Sequence, residues 1–377
     1  MDNQQASWRC RARWQGHAGR RRGAMTVAAV ACAGLVAACG SSSGPGPAGS
    51  SASPSRSGSS ASAASYFKGK TITLIAPDKP GGSYDSYARL FAPYVAKELG
   101  ATINVTNVAG AGTVEGTNQM AAASPDGLTI GMVNIGGDIA SKVEHQPGQS
   151  FDMAKLSWIG QPAQVPNAMV TQPGSPVQSF AALRHATKPV TVLDIRNGVG
   201  DMLNRVVFGA FRIPHTLATG FESTSSLKQG FLAKDGQVIF EAMSTLYPLI
   251  SGHQATPLLV TGSVTLPSYQ KVLQGTPTLQ SELSKASLSS ADASAVQEAI
   301  RLSDLSDAFA APAGLPSSKL AALRQAFAKA ANSPALKAQA VKESLPISFT
   351  DGATLAGQVN TALGQANAIA PFVNGKG

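Results

Sequence analysis

Thr71-Ile72-Thr73-Leu74-Ile75-Ala76-Pro77-Asp78-Lys79-Pro80-Gly81-Gly82-Ser83-Tyr84-Asp85 carries a strand, a turn and the start of a helix in 15 residues. The β-branched apolar run from Thr71 to Ala76 stops at Pro77, and Asp78 to Ser83 has the residues of a turn. From Tyr84 to Leu99 the apolar residues Tyr84, Ala88, Phe91, Val95 and Leu99 fall on one helical stripe that ends at Gly100. Pro93 inside this stripe predicts a kink or a locally broken turn.

The same alternation continues outward. A strand over Thr102 to Val108 leads into Ala109-Gly110-Ala111-Gly112-Thr113 and a helix through Ala123; the turn Ser124-Pro125-Asp126-Gly127 then precedes a strand from Leu128 to Val133. Further strands are expected at Ala168 to Thr171, Val190 to Ile195 and Gln237 to Met243. Helices are expected near Ser179 to Ala186 and over Asp201 to Phe211. Beyond Leu258-Leu259-Val260 the chain turns helix-rich, most clearly at Lys319 to Ala331 and Ala335 to Glu343. Strands and helices alternating in this way predict an open α/β sheet with mainly parallel strands, and ligands sit at the carboxyl ends of strands in such sheets.

Composition bounds the function. With 43% hydrophobic and 14% charged residues in 377, the chain is long enough for two globular domains. Its formal charge of +9 is concentrated at the front, where Arg9, Arg11, Arg13, Arg20, Arg21 and Arg22 face one acid, Asp2. From Cys39 onward there are 24 basic and 20 acidic side chains with no basic run, which argues against a nucleic-acid partner.

The basic stretch is followed by an apolar run, Ala24 to Ala38, of about 15 residues, short of the roughly 20 that span a membrane. Residues 1–38 thus have the layout of an export signal. Val36-Ala37-Ala38-Cys39-Gly40 resembles a bacterial lipobox, which implies a lipid on Cys39 and anchoring to the outer face of the cytoplasmic membrane. Residues 39–65, nearly all Ser, Gly, Ala and Pro after the cysteine, are expected to form a disordered tether.

Three glycine turns follow strands: Gly81-Gly82-Ser83, Gly110-Ala111-Gly112-Thr113 and Gly198-Val199-Gly200. Each places free backbone N–H groups beside a helix start, where an anion is favoured. A glycine after a strand also simply makes a turn, so the set of three carries more weight than any one. No phosphate loop or dinucleotide fingerprint is present, and no cofactor is expected. Asp85 suits either a helix-start carboxylate or a group that holds the loop or a ligand hydroxyl. The five histidines have no metal-ligand spacing, and no Gly-x-Ser-x-Gly elbow occurs, so neither a metal site nor a catalytic set is assigned. Glu241, between Val238-Ile239-Phe240 and Ala242-Met243, fits a strand end facing a cleft equally well as an exposed strand terminus.

The order Ile72-Thr73-Leu74-Ile75-Ala76-Pro77, Gly81-Gly82-Ser83-Tyr84-Asp85, Ala88-Arg89, Leu99-Gly100, Asn107-Val108-Ala109-Gly110-Ala111-Gly112, Ser124-Pro125-Asp126-Gly127 resembles the solute receptors of tripartite tricarboxylate transporters, the Bordetella uptake gene type of extracytoplasmic receptor. Trp158-Ile159-Gly160, Asn197-Gly198, Pro277-Thr278 and Ala311-Pro312-Ala313-Gly314-Leu315-Pro316 continue that order.

The resemblance implies a two-lobed periplasmic-binding-protein type II fold, lobe 1 being residues 66–167 plus 258–377 and lobe 2 residues 168–257. It implies a monomeric, non-enzymatic receptor that passes a small organic carboxylate to membrane permease subunits. The carboxylate contacts it implies are Gly81, Gly82, Ser83, Asp85, Gly110, Ala111, Gly112, Thr113 and Asn134 in the first lobe, and Asn197, Gly198 and Asp201 in the second. Two stretches depart from the family pattern: Thr216-Leu217-Ala218-Thr219-Gly220 stands where a Val-Pro-Tyr-Lys-Gly-like stretch is usual, and Ile239 stands where an acid is usual. The competing readings are a receptor of the same fold serving another transporter or a sensor kinase, and a lipoprotein hydrolase with a dispersed Ser/His/Asp set.

Overall fold

The computed structural model describes residues 65–374 except Ser306. The leader, Cys39 and all but the last residue of the tether lie outside the described residues.

Two sheets organise the chain. The first contains β1 (Thr71–Ala76), β2 (Thr102–Asn107), β3 (Thr129–Asn134), β4 (Ser157–Gln161), β10 (Asp307–Ala311) and β11 (Thr350–Asp351), in the order β11-β4-β10-β3-β1-β2. The second contains β5 (Asn167–Thr171), β6 (Val190–Asp194), β7 (His215–Thr219), β8 (Val238–Ala242) and β9 (Thr256–Val260), in the order β7-β6-β8-β5-β9. The helices are α1 (Ser83–Leu99), α2 (Val114–Ala121), α3 (Ile135–Val143), α4 (Phe180–Arg184), α5 (Val199–Ala210), α6 (Thr224–Ala233) and α7 (Met243–Ser251). They continue with α8 (Pro267–Val272), α9 (Leu279–Lys285), α10 (Ser290–Asp304), α11 (Ser317–Asn332), α12 (Pro334–Lys342), α13 (Gly352–Gln365) and α14 (Ala370–Val373).

The expectation of mainly parallel sheets is corrected. β1 pairs parallel with β2 and β3, and β6 pairs parallel with β7 and β8. β10 runs antiparallel to β3 and β4, β11 to β4, and β5 to both β8 and β9. The reason lies in the chain path: it leaves the first sheet after β4, builds the second, and returns through β9 to insert β10 between β3 and β4 in reverse. Both sheets are therefore mixed.

Helices cover both faces of both sheets, and strand side chains alternate between two cores. Leu74, Ala168, Val170, Ile239 and Phe309 point into one apolar cluster, whereas Ile75, Met169, Val238, Phe240, Ala308 and Ala310 point into the other. In the first cluster the rings of Phe91, Phe309 and Phe327 pack at centroid distances of 4.6 to 6.0 Å, which locks α1 and α11 onto β10. The broken turn expected at Pro93 does not occur: α1 runs on through it, with Pro93 on the exposed side of the helix. Ile239, at the position where the family pattern has an acid, is fully buried in the first core.

Candidate functional site

The sheet topology brings strand ends of two kinds to one place. The carboxyl ends of β1, β3, β6 and β8 deliver Pro77 and Asp78, Asn134, Ile195, and Glu241 and Ala242. The amino ends of β10 and β5, which run the opposite way, deliver Asp307 and Asn167. Register fixes these meetings, since Asp307 is paired with Asn134 and Asn167 with Ala242. Between them lies a cavity of about 60 Å³ accessible to water, also lined by Ser83, Tyr84, Gly112, Thr113, Gly198, Val199, Gly200, Glu222, Ser223 and Thr224.

Six helices begin at this cavity: α1 at Ser83, α2 after Thr113, α3 after Asn134, α5 after Gly198, α6 after Ser223 and α7 after Ala242. A helix start carries unpaired N–H groups and the positive end of the helix dipole, so the site concentrates donors and partial positive charge.

Two of these starts are built alike, one from each sheet. Before α1, Gly81 has φ 90° and Gly82 is the N-cap residue; before α5, Asn197 has φ 65° and Gly198 is the N-cap residue. Asp85 accepts from the Gly81 N–H at 2.9 Å and from Arg89 Nε at 2.8 Å. Asp201 accepts from the Asn197 N–H at 3.2 Å and from Arg205 Nε at 2.6 Å. Thus the spacing Gly/Asn-x-x-x-Asp-x-x-x-Arg occurs in both halves, the carboxylate tying down the turn and the arginine tying down the carboxylate. The Gly82 and Gly198 N–H groups donate to the Lys79 and Ile195 carbonyls, and the first helix bonds run from Ser86 N–H to Gly82 O and from Met202 N–H to Gly198 O, so the amides of Ser83 to Asp85 and of Val199 to Asp201 have no acceptor within their helices. Burial raises the Asp85 carboxyl, but Arg89, the Gly81 N–H and Asn107 outweigh it and hold it below the usual range.

The remaining carboxyls behave differently. Asp78 accepts from the Lys79 N–H at 2.7 Å and from Thr224 Oγ1 at 3.2 Å; burial still leaves its carboxyl raised, with the Asp85 charge adding to the effect. Burial pushes half-buried Glu241 up to about 8, reinforced by the charges of Asp78 and Asp307 and opposed by the Ala242 N–H and Lys228. Burial pushes Asp307 up to about 6 against the hydroxyls of Ser83 and Tyr84, and the Asp78 charge raises it further. Behind Thr113, the fully buried Asp138 is raised well above the usual range by desolvation, with Thr113 and Thr117 opposing. No Lys, Arg or His lines the cavity among the described residues.

Contacts between elements of the two sheets close the cavity. Thr224, at the start of α6, reaches Asp78 after β1, and Lys79 Nζ meets the exposed Glu222 at 3.0 Å. Gly82 leaves room for this arrangement, since a Cβ there would collide with the Asp78 carboxylate. Gly112, at φ 66°, lies against the Arg196-Asn197 turn, and a Cβ on it would strike the Arg196 carbonyl oxygen and approach Asn197 Cβ at 2.8 Å. The stretch Gly110 to Thr113 holds four successive positive φ values, including Ala111 at 48° and Thr113 at 100°. Strain of this kind persists where surrounding structure holds it.

Of the sequence-derived candidates, Ser83, Gly112, Thr113, Asn134 and Gly198 line the cavity. Gly81, Gly82, Asp85, Asn197 and Asp201 stand one step back, shaping the two helix starts, and Gly110 and Ala111 face a neighbouring groove with Lys79, Arg196 and Phe221. Glu241 reaches the cavity wall. Asp78, Asn167, Asp307 and Thr224 line the cavity without having been candidates. Asp78 was legible as the residue that opens the turn after the first strand. Asn167 and Asp307 begin antiparallel strands, and no glycine marks those positions.

These features define a fold class, that of the periplasmic binding proteins, in which two α/β sheets meet at one cavity. The solved periplasmic binding protein BugD has the same fold, at a TM-score of 0.64 and 18% identity over 78% of this chain and 95% of that one. MatC from Rhodopseudomonas palustris, solved with bound malate, is similar with a TM-score of 0.65 and 18% identity over 80% of this chain and 99% of that one.

In sequence, residues 87–191 match the family model of the tripartite tricarboxylate transporter family receptor. Protein BugT of Bordetella pertussis is 32% identical over 125 residues, which is 32% of this chain and 37% of BugT. The aligned stretch thus spans little more than a third of that relative. The matched family is the one whose residue order the chain resembles.

Proposed function

We propose that this chain is an extracytoplasmic solute-binding receptor that captures a small organic acid between its two lobes and delivers it, chemically unchanged, to the membrane subunits of a tripartite tricarboxylate-type transporter. The observation that carries this reading is the matched pair of helix starts, Ser83-Tyr84 and Gly198-Val199-Gly200, facing one cavity from different sheets. Backbone N–H groups fixed there supply charge-assisted hydrogen bonds to a carboxylate, and closure removes the competing water. The likeness to MatC, solved with malate, supports a carboxylated solute.

The lipid anchor belongs to the same proposal. Cys39, followed by a Ser/Gly/Ala/Pro tether, holds the receptor at the outer face of the cytoplasmic membrane while leaving it free to reach a permease. Among the described residues no helix is long and apolar enough to cross a membrane. Exchange of loaded for empty receptor at the permease then depends on breaking the Thr224–Asp78 and Lys79–Glu222 contacts.

A thermal-shift screen of organic acids tests the reading. A ligand present at a hundred times its Kd stabilises the native state by about 2.7 kcal/mol, which raises Tm by roughly 5 °C for a chain of this size. At least one small carboxylate is expected to do so; a flat response across mono-, di- and tricarboxylates contradicts the proposal.

A further inference from the structure

We infer that the solute carries a protonated amine as well as a carboxylate, the amine held by Asp307, Glu241 and Asp78 and the carboxylate by the helix starts of α1 and α5. This rests on reading the cavity as the receptor's ligand site.

The wall of the cavity is chemically two-sided. Four carboxyl side chains line it, Asp78, Glu241, Asp307 and, at the rim and paired with Lys79, Glu222, and no basic side chain does, among the described residues. Carboxylate-recognising donors come instead from backbone N–H groups at the helix starts. Two buried side-chain atoms in the same wall make no hydrogen bond: Oδ2 of Asp307, which is 2% exposed and whose carboxyl has the Ser83 and Tyr84 hydroxyls near it, and Nδ2 of Asn167, which is 3% exposed. An orphaned carboxylate oxygen calls for a donor, and an orphaned amide N–H calls for an acceptor. One ligand that brings both satisfies both.

A dianionic acid meets the first requirement badly. Its second charge lies beside Asp78 and Asp307 at low local dielectric, a repulsion on the order of a hundredfold in affinity at ~5 Å separation. A metal ion does not fit either, because no three acidic, histidine or cysteine side chains come together as a metal site among the described residues. An ammonium group supplies three donors and one positive charge.

The inference also has a proton signature. At pH 7 Glu241, pushed up to about 8 by burial and by the charges of Asp78 and Asp307 against the Ala242 N–H and Lys228, is mostly protonated. Asp307 has Asp78 and Tyr84 beside it, and at the rim Lys79 is already paired with Glu222. A bound ammonium therefore drives a proton off Glu241, whereas a bound dianion draws protons in.

Calorimetric titration of the full chain at pH 7, in phosphate and in Tris, compares glycine, alanine, β-alanine and γ-aminobutyrate with acetate, propionate, succinate, malate and adipate. An amino acid that binds at least tenfold tighter than its des-amino counterpart, with proton release read from the difference between buffers, supports the inference. The Asp307→Asn variant is then expected to lose about ten- to hundredfold for the amino acid and nothing for the des-amino acid. Because the proton count is read on the wild type, the test does not depend on the variant folding. Tighter binding of the des-amino acids, with proton uptake, overturns the inference and leaves the receptor reading standing. Silence from both series overturns the receptor reading with it.

Discussion

Glu241→Gln is expected to make the empty receptor more stable at neutral pH, and by an amount that grows with pH. Glu241 has an ordinary value of 4.5 and a value of about 8 in the fold. Between those limits the native chain holds a proton that the unfolded chain has released, so stability falls as pH rises, by about 1.4 kcal/mol per pH unit. At pH 7, about 2.5 units above the ordinary value, the accumulated loss is ~3 kcal/mol, and at pH 5 it is under ~1 kcal/mol. Asp307, moving from 3.8 to about 6, acts in the same sense, but its loss is complete soon after pH 6. Glutamine keeps the shape of Glu241 and removes its titration. Urea unfolding of wild type and variant at pH 5, 6, 7 and 8 reads the effect as a widening gap in midpoint, with the variant ahead. A gap that stays constant with pH, or a variant that is less stable throughout, refutes the argument that Glu241 is a desolvated carboxyl in the cavity wall.

Further outcomes follow from other parts of the site. Gly112→Val sets a branched side chain at φ 66° against the Arg196-Asn197 turn, so it is expected to prop the lobes apart and weaken any cleft ligand by about a hundredfold or more; unchanged affinity in calorimetry removes Gly112 from the closing contact. Asp201→Ala frees the Asn197 N–H and strips Arg205, itself largely buried, of its 2.6 Å partner, at an expected cost of about 2–4 kcal/mol in chemical unfolding; a midpoint equal to wild type contradicts the pinning role. Cys39→Ala is expected to move the protein from the membrane fraction to the soluble fraction and to abolish labelling by radioactive fatty acid, and persistence of either in the variant counts against the anchor.

The sequence announced the fold where its signals are local. β1, the Gly81-Gly82 turn and α1 are legible because a β-branched run, a positive-φ residue and a helical stripe each act over a few residues. The sheet order is different in kind. β10 is Asp307-Ala308-Phe309-Ala310-Ala311, too short and too alanine-rich to announce a central strand, and its reversed direction depends on a return crossing about 170 residues after β3. The candidate site divides the same way. The glycine turns were visible because positive φ at Gly81, Gly110 and Gly112, and the lack of room for a Cβ at Gly82 and Gly200, favour glycine there. The acidic half of the cavity was not, because Asp307 and Asn167 acquire their meaning only from the register that pairs them with Asn134 and Ala242. Glu241 lay between: its apolar neighbours marked a buried strand, and only the second sheet's order turned it toward the cavity.

The most direct test of the account is a crystal structure of the receptor with the tightest-binding acid from the thermal screen. The ligand is expected in the cavity between the two sheets, its carboxylate within hydrogen-bond distance, about 3 Å, of backbone N–H groups at the starts of α1 and α5. A ligand bound outside that cavity, or one whose carboxylate is turned toward Asp78, Glu241 and Asp307 instead, contradicts it.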